Sequence, residues 1–360
     1  MEPFPLLAIP HVPLRRIVDH VDPVEVVRLA LCHEDVHAHL SCLALRLPKL
    51  SWNITPEKIT LELEFESTKI VFIISTTLSY GLHELVTFRI HGKLISGRWV
   101  KHNDQTTIYM RAVSLPVVMT FAEAFSSYLF SIYNLFDTKI THTFCSGYDI
   151  PNLFVWKYSM SVLNLSVCRG STVMSRDEFT WIMENLKPTI FFMDAEVIDF
   201  KYRQKINAST LHINNVSWVD MDDLLSLDVP IMKFTGNRDQ AVNFNALLRT
   251  WMAKKDDDVE SVLFITALPQ TQAEIFQGIE ATPTQFRPID LRLRVYDWQA
   301  QAFDITRPTD GRIGTVLFGG QFFQFLTWKE HHYKFVSRQT RQRMGRLGRI
   351  GRIGRMGRRF

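Results

Sequence analysis

The 360-residue sequence predicts an α+β chain in three parts: three short helices, a small antiparallel sheet, and a half that alternates strands with helices. Three observations predict it. Apolar residues recur at helical spacing over the first forty-odd positions. After Pro48 the pattern changes to a period of two. Beyond the middle of the chain, strand-like and helix-like segments alternate, with strand starts roughly 20 to 30 residues apart. At 46% hydrophobic and 22% charged, the chain is globular rather than disordered and long enough to bury a sizeable core.

The first helix is read from Leu14, Ile17, Val18 and Val21, which share one stripe, with Pro13 suited to its start. The second opens at Asp22-Pro23-Val24-Glu25, with Asp22 as N-cap, Pro23 at the first helical position and Glu25 as the capping acid. Its apolar residues are Val26, Val27, Ala30 and Leu31. A third segment aligns Val36, Leu40, Leu43 and Leu47 and stops at Pro48. Ahead of them runs Phe4-Pro5-Leu6-Leu7-Ala8-Ile9-Pro10, apolar, proline-stiffened and too irregular for a helix. Apolar surface this dense packs on the rest of the chain or is covered by a partner, and an extended arm before a helical hairpin has the form of a docking module.

Ile59, Leu61, Leu63 and Phe65 alternate with Thr60 and three glutamates, a half-buried strand. Residues 70–74, 86–90, 97–100 and 107–110 continue the meander, so 50 to about 115 reads as one antiparallel sheet. Pro116 to Phe136 follows as a helix, with Phe121, Phe125, Tyr128 and Leu129 at helical spacing. Strands are then expected at 162–167, 189–193, 210–213, 229–234 and 259–266. Helices are expected after the Ser175-to-Glu178 capping box and after the Asn243 cap, with a further one hinted at by Ile275, Phe276 and Ile279. This is a degenerate strand–helix solenoid of leucine-rich-repeat-like spacing, and residues 289–328 return to strand.

The motif F-P-L-L-x-I-P from Phe4 to Pro10, followed by Asp22-Pro23-Val24-Glu25 and Leu29-Ala30-Leu31-Cys32, resembles the F-box of nematode F-box proteins. The basic residues that usually follow the cysteine are replaced here by His33-Glu34-Asp35. Ile206 to Ile213, Asp223 to Val229, Phe244 to Met252 and Val259 to Phe264 together resemble the F-box-associated domain, type 2, of the same proteins. The resemblance implies an F-box at 4–48, a sheet with the first strand–helix units at 50–190, and an associated region at 190–337 whose signature covers 190–270. It also implies docking to the Skp-type adaptor of a cullin ubiquitin ligase, and capture of a protein target by the body. The expected adaptor contacts are Pro5, Leu6, Leu7, Ile9, Pro10, Leu14, Ile17, Val18 and Val26.

Other motifs are weaker. His33-Glu34-x-x-His37 has the zincin form, with Glu57 or Glu62 as arithmetic third ligands, but Leu40 stands where a metzincin needs glycine. Zinc hydrolysis is thus the remote alternative, and a solvated helix face the plainer one. Gly319-Gly320-Gln321 matches the release-factor tripeptide but lies between two strand-like runs, where a tight turn explains it. No Walker loop, G-x-G-x-x-G or G-x-S-x-G occurs, so neither a cofactor nor an enzyme is expected. Cys32, Cys42, Cys145 and Cys168 form no C-x-x-C pair and read as reduced, buried thiols of an intracellular chain. The N-terminus lacks a signal-peptide pattern, and the longest apolar run is too short for a bilayer, so a cytoplasmic or nuclear location is expected.

The net charge of +4 belongs to the last 23 residues. Nine of the 41 basic residues lie in 338–360 with no acid, and the remaining 32 face 37 acids, leaving the body at −5. From Arg343 the tail repeats Arg-apolar-Gly in threes, a period that fits neither helix nor strand and favours disorder. Arg346, Arg349, Arg352, Arg355 and Arg358 are candidate phosphate contacts, which makes a nucleic-acid-associated adaptor the second reading. An inert low-complexity extension is the bland one.

Overall fold

The computed structural model describes residues 9–77, 85–90, 93–111, 114–145, 148–235, 242–254, 259–265, 268–284 and 300–328. The protein is a mixed α+β chain that divides into two compact units, Met1–Val197 and Ile198–Phe360. The expected boundary at 190 falls at the start of a strand that pairs backwards with its predecessor, so that strand belongs to the first unit.

The first unit begins with α1 (His11–Val18), α2 (Pro23–Cys32) and α3 (Glu34–Ser41). Its third helix is shorter than the apolar spacing predicts. Leu43 and Leu47 are still buried, but the chain has already left the helix and forms β1 (Leu45–Arg46). The strands that follow are β2 (Lys49–Ile54), β3 (Lys58–Glu64), β4 (Lys69–Ser75), β5 (Leu85–Ile90), β6 (Lys93–His102) and β7 (Gln105–Arg111). They are not one antiparallel meander. β4 and β7 lie side by side and parallel, Ile70 opposite Thr106 through Ser75 opposite Arg111, with β6 and β5 outboard. Alternation tells which face a residue takes, not which strand is its neighbour.

Helix α4 (Leu115–Ile132) covers this sheet. Val118, Ala122, Phe125, Leu129 and Ile132 are all buried, a continuous stripe at helical spacing, and Phe125 meets Phe72 of β4 with ring centroids 4.7 Å apart. The helix ends at Tyr133, where the chain turns into β8 (Tyr133–Asn134), a short parallel partner of β1. Then come β9 (Lys139–Cys145), β10 (Asn164–Val173), α5 (Arg176–Asn185) and β11 (Ile190–Glu196). β2, β9, β10 and β11 are successive parallel neighbours, giving the order β5-β6-β7-β4-β3-β2-β9-β10-β11 within this unit. β10 and α5 are locked by a buried ion pair between Arg169 and Glu178. The Arg169 Nη2 also donates to the Tyr148 carbonyl at 2.7 Å, and Glu178 accepts from the Ile150 amide at 3.1 Å, so each charge has a second hydrogen-bond partner.

In the second unit β12 (Thr210–Ile213), β13 (Ile231–Phe234), α6 (Phe244–Ala253) and β14 (Ser261–Phe264) fall within the four segments of the expected signature or beside them. The three strands run parallel, and a 3-10 turn at Leu224–Leu227 separates the first two. α7 (Gln272–Ile275) is one turn held by a Thr271/Glu274 capping box. β15 (Ala281–Pro283), β16 (Gln301–Thr306), β17 (Ile313–Gly319) and β18 (Phe322–Thr327) close the unit antiparallel, β18 against β14. Gly320, at φ 56°, and Gln321 form the two-residue turn between β17 and β18, so the tripeptide is a hairpin. The core is aromatic: Phe244 stacks on Phe323 at 3.8 Å, and Phe234 on Phe264 at 4.6 Å. The strand expected around Leu291, Leu293 and Val295, the acidic run at 256–258 and the tail from 338 lie outside the described residues. No helix among the described residues is long and apolar enough to cross a membrane.

Candidate functional site

Helix α1 starts at His11, two residues before the expected Pro13, which sits inside the first turn where its missing N–H is no loss. Leu14 points inward at 1% exposure, and the Arg15 guanidinium donates to the Leu43 carbonyl at 3.1 Å, tying the helix to the segment after α3. Two further apolar residues of α1 face outward: Val12 is 72% and Ile17 42% exposed. In α2, Asp22 accepts from the Val24 amide at 2.9 Å, Pro23 leads, and Val24, Val26, Val27, Ala30 and Leu31 are buried. Leu29, at 40% exposure, is its outward apolar residue. The Arg28 guanidinium lies 5.4 Å from the centre of the Trp99 ring on β6, so α2 rests against the sheet edge.

The expected contact residues therefore divide. Ile17 is exposed, Pro10 is exposed, and Ile9 and Val18 are half-buried. Leu14 and Val26, at 1% and 3% exposure, are buried in the chain's own interior. Pro5, Leu6 and Leu7 lie outside the described residues, as do Arg346, Arg349, Arg352, Arg355 and Arg358. Val12 and Leu29 are outward apolar side chains that the stripe-based reading passes over. Their signal was hydrophobicity off the stripe.

The zincin-like pattern has other work. His33 is the N-cap of α3, its Nδ1 accepting from the Asp35 amide at 3.2 Å, while Glu34 and Asp35 occupy the first turn, where acids suit the helix dipole. His37 turns instead to α4. Its ring stacks on Tyr128, and its Nε2 lies 3.0 Å from the Tyr128 carbonyl and 2.9 Å from the Ser131 hydroxyl. Tyr128 in turn donates its hydroxyl to the Ala30 carbonyl. Burial, with Glu34 and Cys32 nearby, pushes the phenol up to about 12, so it stays a donor. The two imidazoles thus face different tasks and share no third ligand among the described residues.

One open groove of about 520 Å³ lies along α4, lined by Thr120, Glu123, Ala124, Ser127, Lys157 and Tyr158. Its two charges, Lys157 and Glu123, pair with each other, and it holds no nucleophile beside a base. In β9, His142 is buried between Ile140 and Phe144 with neither ring nitrogen hydrogen-bonded, and Trp156 packs edge-on at 5.0 Å. Burial lowers it to about 3, which keeps it neutral. It is a core residue. The N-terminal helical hairpin, seated on the sheet, thus carries exposed apolar side chains at Val12, Ile17 and Leu29.

No family model matches the chain. Among curated proteins, it is similar to the E3 ubiquitin-protein ligase hecw-1 of Caenorhabditis elegans, 19% identical over 311 residues, which are 80% of this chain and 25% of that protein. The chain thus spans about a quarter of the length of the curated relative it matches. No solved structure matches.

Proposed function

We propose that the chain is the substrate-recognition subunit of a Skp–cullin–F-box ubiquitin ligase, working in the cytoplasm or nucleus. The N-terminal helices are an F-box that docks the Skp-type adaptor and, through it, a cullin. The sheet-and-helix body captures the protein to be ubiquitinated, and catalysis belongs to partner subunits. The observation that carries this reading is α1, which buries Leu14 yet leaves Val12 and Ile17 exposed directly behind the F-P-L-L-x-I-P arm. The similarity to an E3 ubiquitin-protein ligase supports the wider link to ubiquitination. Within this reading the parallel runs β9-β10-β11 and β12-β13-β14, each interleaved with helices or 3-10 turns, are degenerate leucine-rich-repeat-like units, and 190–337 is an F-box-associated region of type 2. Binding of the full chain to a purified Skp-type adaptor, with and without acidic substitutions at Val12 and Ile17, tests it.

A second reading, a nucleic-acid-associated adaptor, rests on the tail, where nine arginines meet no acid. The two readings use opposite ends of the chain.

A further inference from the structure

Cys145 ends β9 and Cys168 lies in β10, and the two are direct register partners on neighbouring parallel strands. Their chain neighbours Phe144 and Val167 are also register partners and are fully buried, so both cysteines take the other face of the sheet, where both are half-buried. Adjacent strands stand about 4.8 Å apart, within the Cα separation of roughly 4.4–6.8 Å that a disulfide spans. Beyond Cys168 the β10–β11 register breaks, and Gly170 follows at φ 58°, where a built Cβ would meet nothing within 4 Å. The β9–β10 ladder ends at this pair, so no further strand pairing beyond it holds the two side chains apart. The four thiols are expected to be buried, but Cys32 and Cys42 are exposed and Cys145 and Cys168, 23 apart in sequence, stand half-buried side by side.

We propose that Cys145 and Cys168 form an oxidisable dithiol site that closes to an intramolecular disulfide by exchange with a low-molecular-weight disulfide such as oxidised glutathione. Asp194 of β11 is the register partner of Cys168 on its far side, whereas β2 ends one residue short of Cys145, so Cys145 is the less hindered by negative charge. Its thiolate attacks one sulfur of the small disulfide, forming a mixed disulfide and expelling the first small thiolate. The Cys168 thiolate then attacks the Cys145 sulfur and expels the second. The two cysteines lose two electrons and two protons, which leave on two small thiols. Burial raises both thiols, Cys168 to about 11 with help from Cys145 and Asp194, so closure is slow at neutral pH and quickens as thiolate accumulates.

The test uses the reduced full chain carrying Cys32→Ser and Cys42→Ser, with wild type mapped in parallel should that variant fold poorly. After incubation with oxidised glutathione, remaining thiols are alkylated and peptides mapped by mass spectrometry. The expected product is a cross-linked peptide pair joining Cys145 to Cys168, lighter by two hydrogen atoms, with a rate rising about tenfold per pH unit below the thiol pKa. Cys145→Ser should leave Cys168 carrying a glutathione adduct instead. Two separate glutathione adducts on the otherwise intact pair, or two thiols that stay fully alkylatable, would overturn the proposal.

Discussion

His37 of α3 stacks on Tyr128 of α4 with ring centroids 3.7 Å apart and planes 17° from parallel. Around this contact Tyr128 gives its hydroxyl to the Ala30 carbonyl, one of the last carbonyls of α2, which has no acceptor duty left within its helix. One residue of the body therefore braces both later helices of the N-terminal cluster. The hairpin's inner side belongs to the chain itself, and Val12, Ile17 and Leu29 are left exposed.

Tyr128→Phe should strip the α2 terminus of that hydrogen bond while keeping the ring stack. The expected loss is about 1–3 kcal/mol, since a buried carbonyl is left unpaired. Urea denaturation of the full chain measures it, and an unchanged midpoint would remove the brace from the account.

Gly314 of β17 allows the sheet to close on its aromatic core. A Cβ there would lie 2.5 Å from the Phe325 ring and 3.2 Å from Trp251, both fully buried. Gly314→Ala should therefore destabilise the second unit by about 1–3 kcal/mol through overpacking. Thermal unfolding with and without Phe325→Leu checks the cause, because the smaller side chain should recover part of the loss.

His142 sets a pH dependence. Its folded pKa is lowered from 6.5 to about 3 by burial, so below pH 6.5 the unfolded chain binds a proton that the folded chain refuses. Its stability is fully present above pH 6.5 and falls by at most about 1.4 kcal/mol per unit as pH drops towards 3. His212, lowered in the same direction, adds to the slope. Denaturant midpoints at pH 7.5 and 5 should therefore differ less in His142→Leu than in wild type. Equal differences would show that this imidazole is not the titrating group.

His142 also explains what the sequence concealed. Strands β3 and β4 are legible because apolar residues fill their inward positions, as Leu61, Leu63, Ile70 and Phe72 do. β9 is built on the same alternation, but its middle inward position holds a histidine, which breaks the apolar pattern. The partnership of β4 with β7 and of Cys145 with Cys168 was invisible for a different reason: register is set by long-range pairing, which periodicity does not encode. The candidate docking face was half legible. A helical stripe marks Leu14 and Val26 as important, but only the fold shows that they face the chain's own interior and that Val12 and Leu29 face outward.

The tail distinguishes the second functional reading. With a body at −5, nucleic-acid binding in low salt should require residues 338–360 and should weaken steeply as salt rises. Filter binding of full-length and truncated protein measures this. Equal binding, or none in either, would make the tail an inert extension, and adaptor binding should be the same with or without it.

The proposed docking is read from the affinity of the full chain for a purified Skp-type adaptor, compared with that of Val12→Asp/Ile17→Asp. Both positions are exposed, so the variant should unfold at the wild-type denaturant midpoint. Loss of apolar anchors worth about 2 kcal/mol or more should weaken adaptor binding roughly 30-fold or beyond. A folded variant that binds the adaptor as tightly as wild type, or a wild-type chain that does not bind it, would rule out docking through α1.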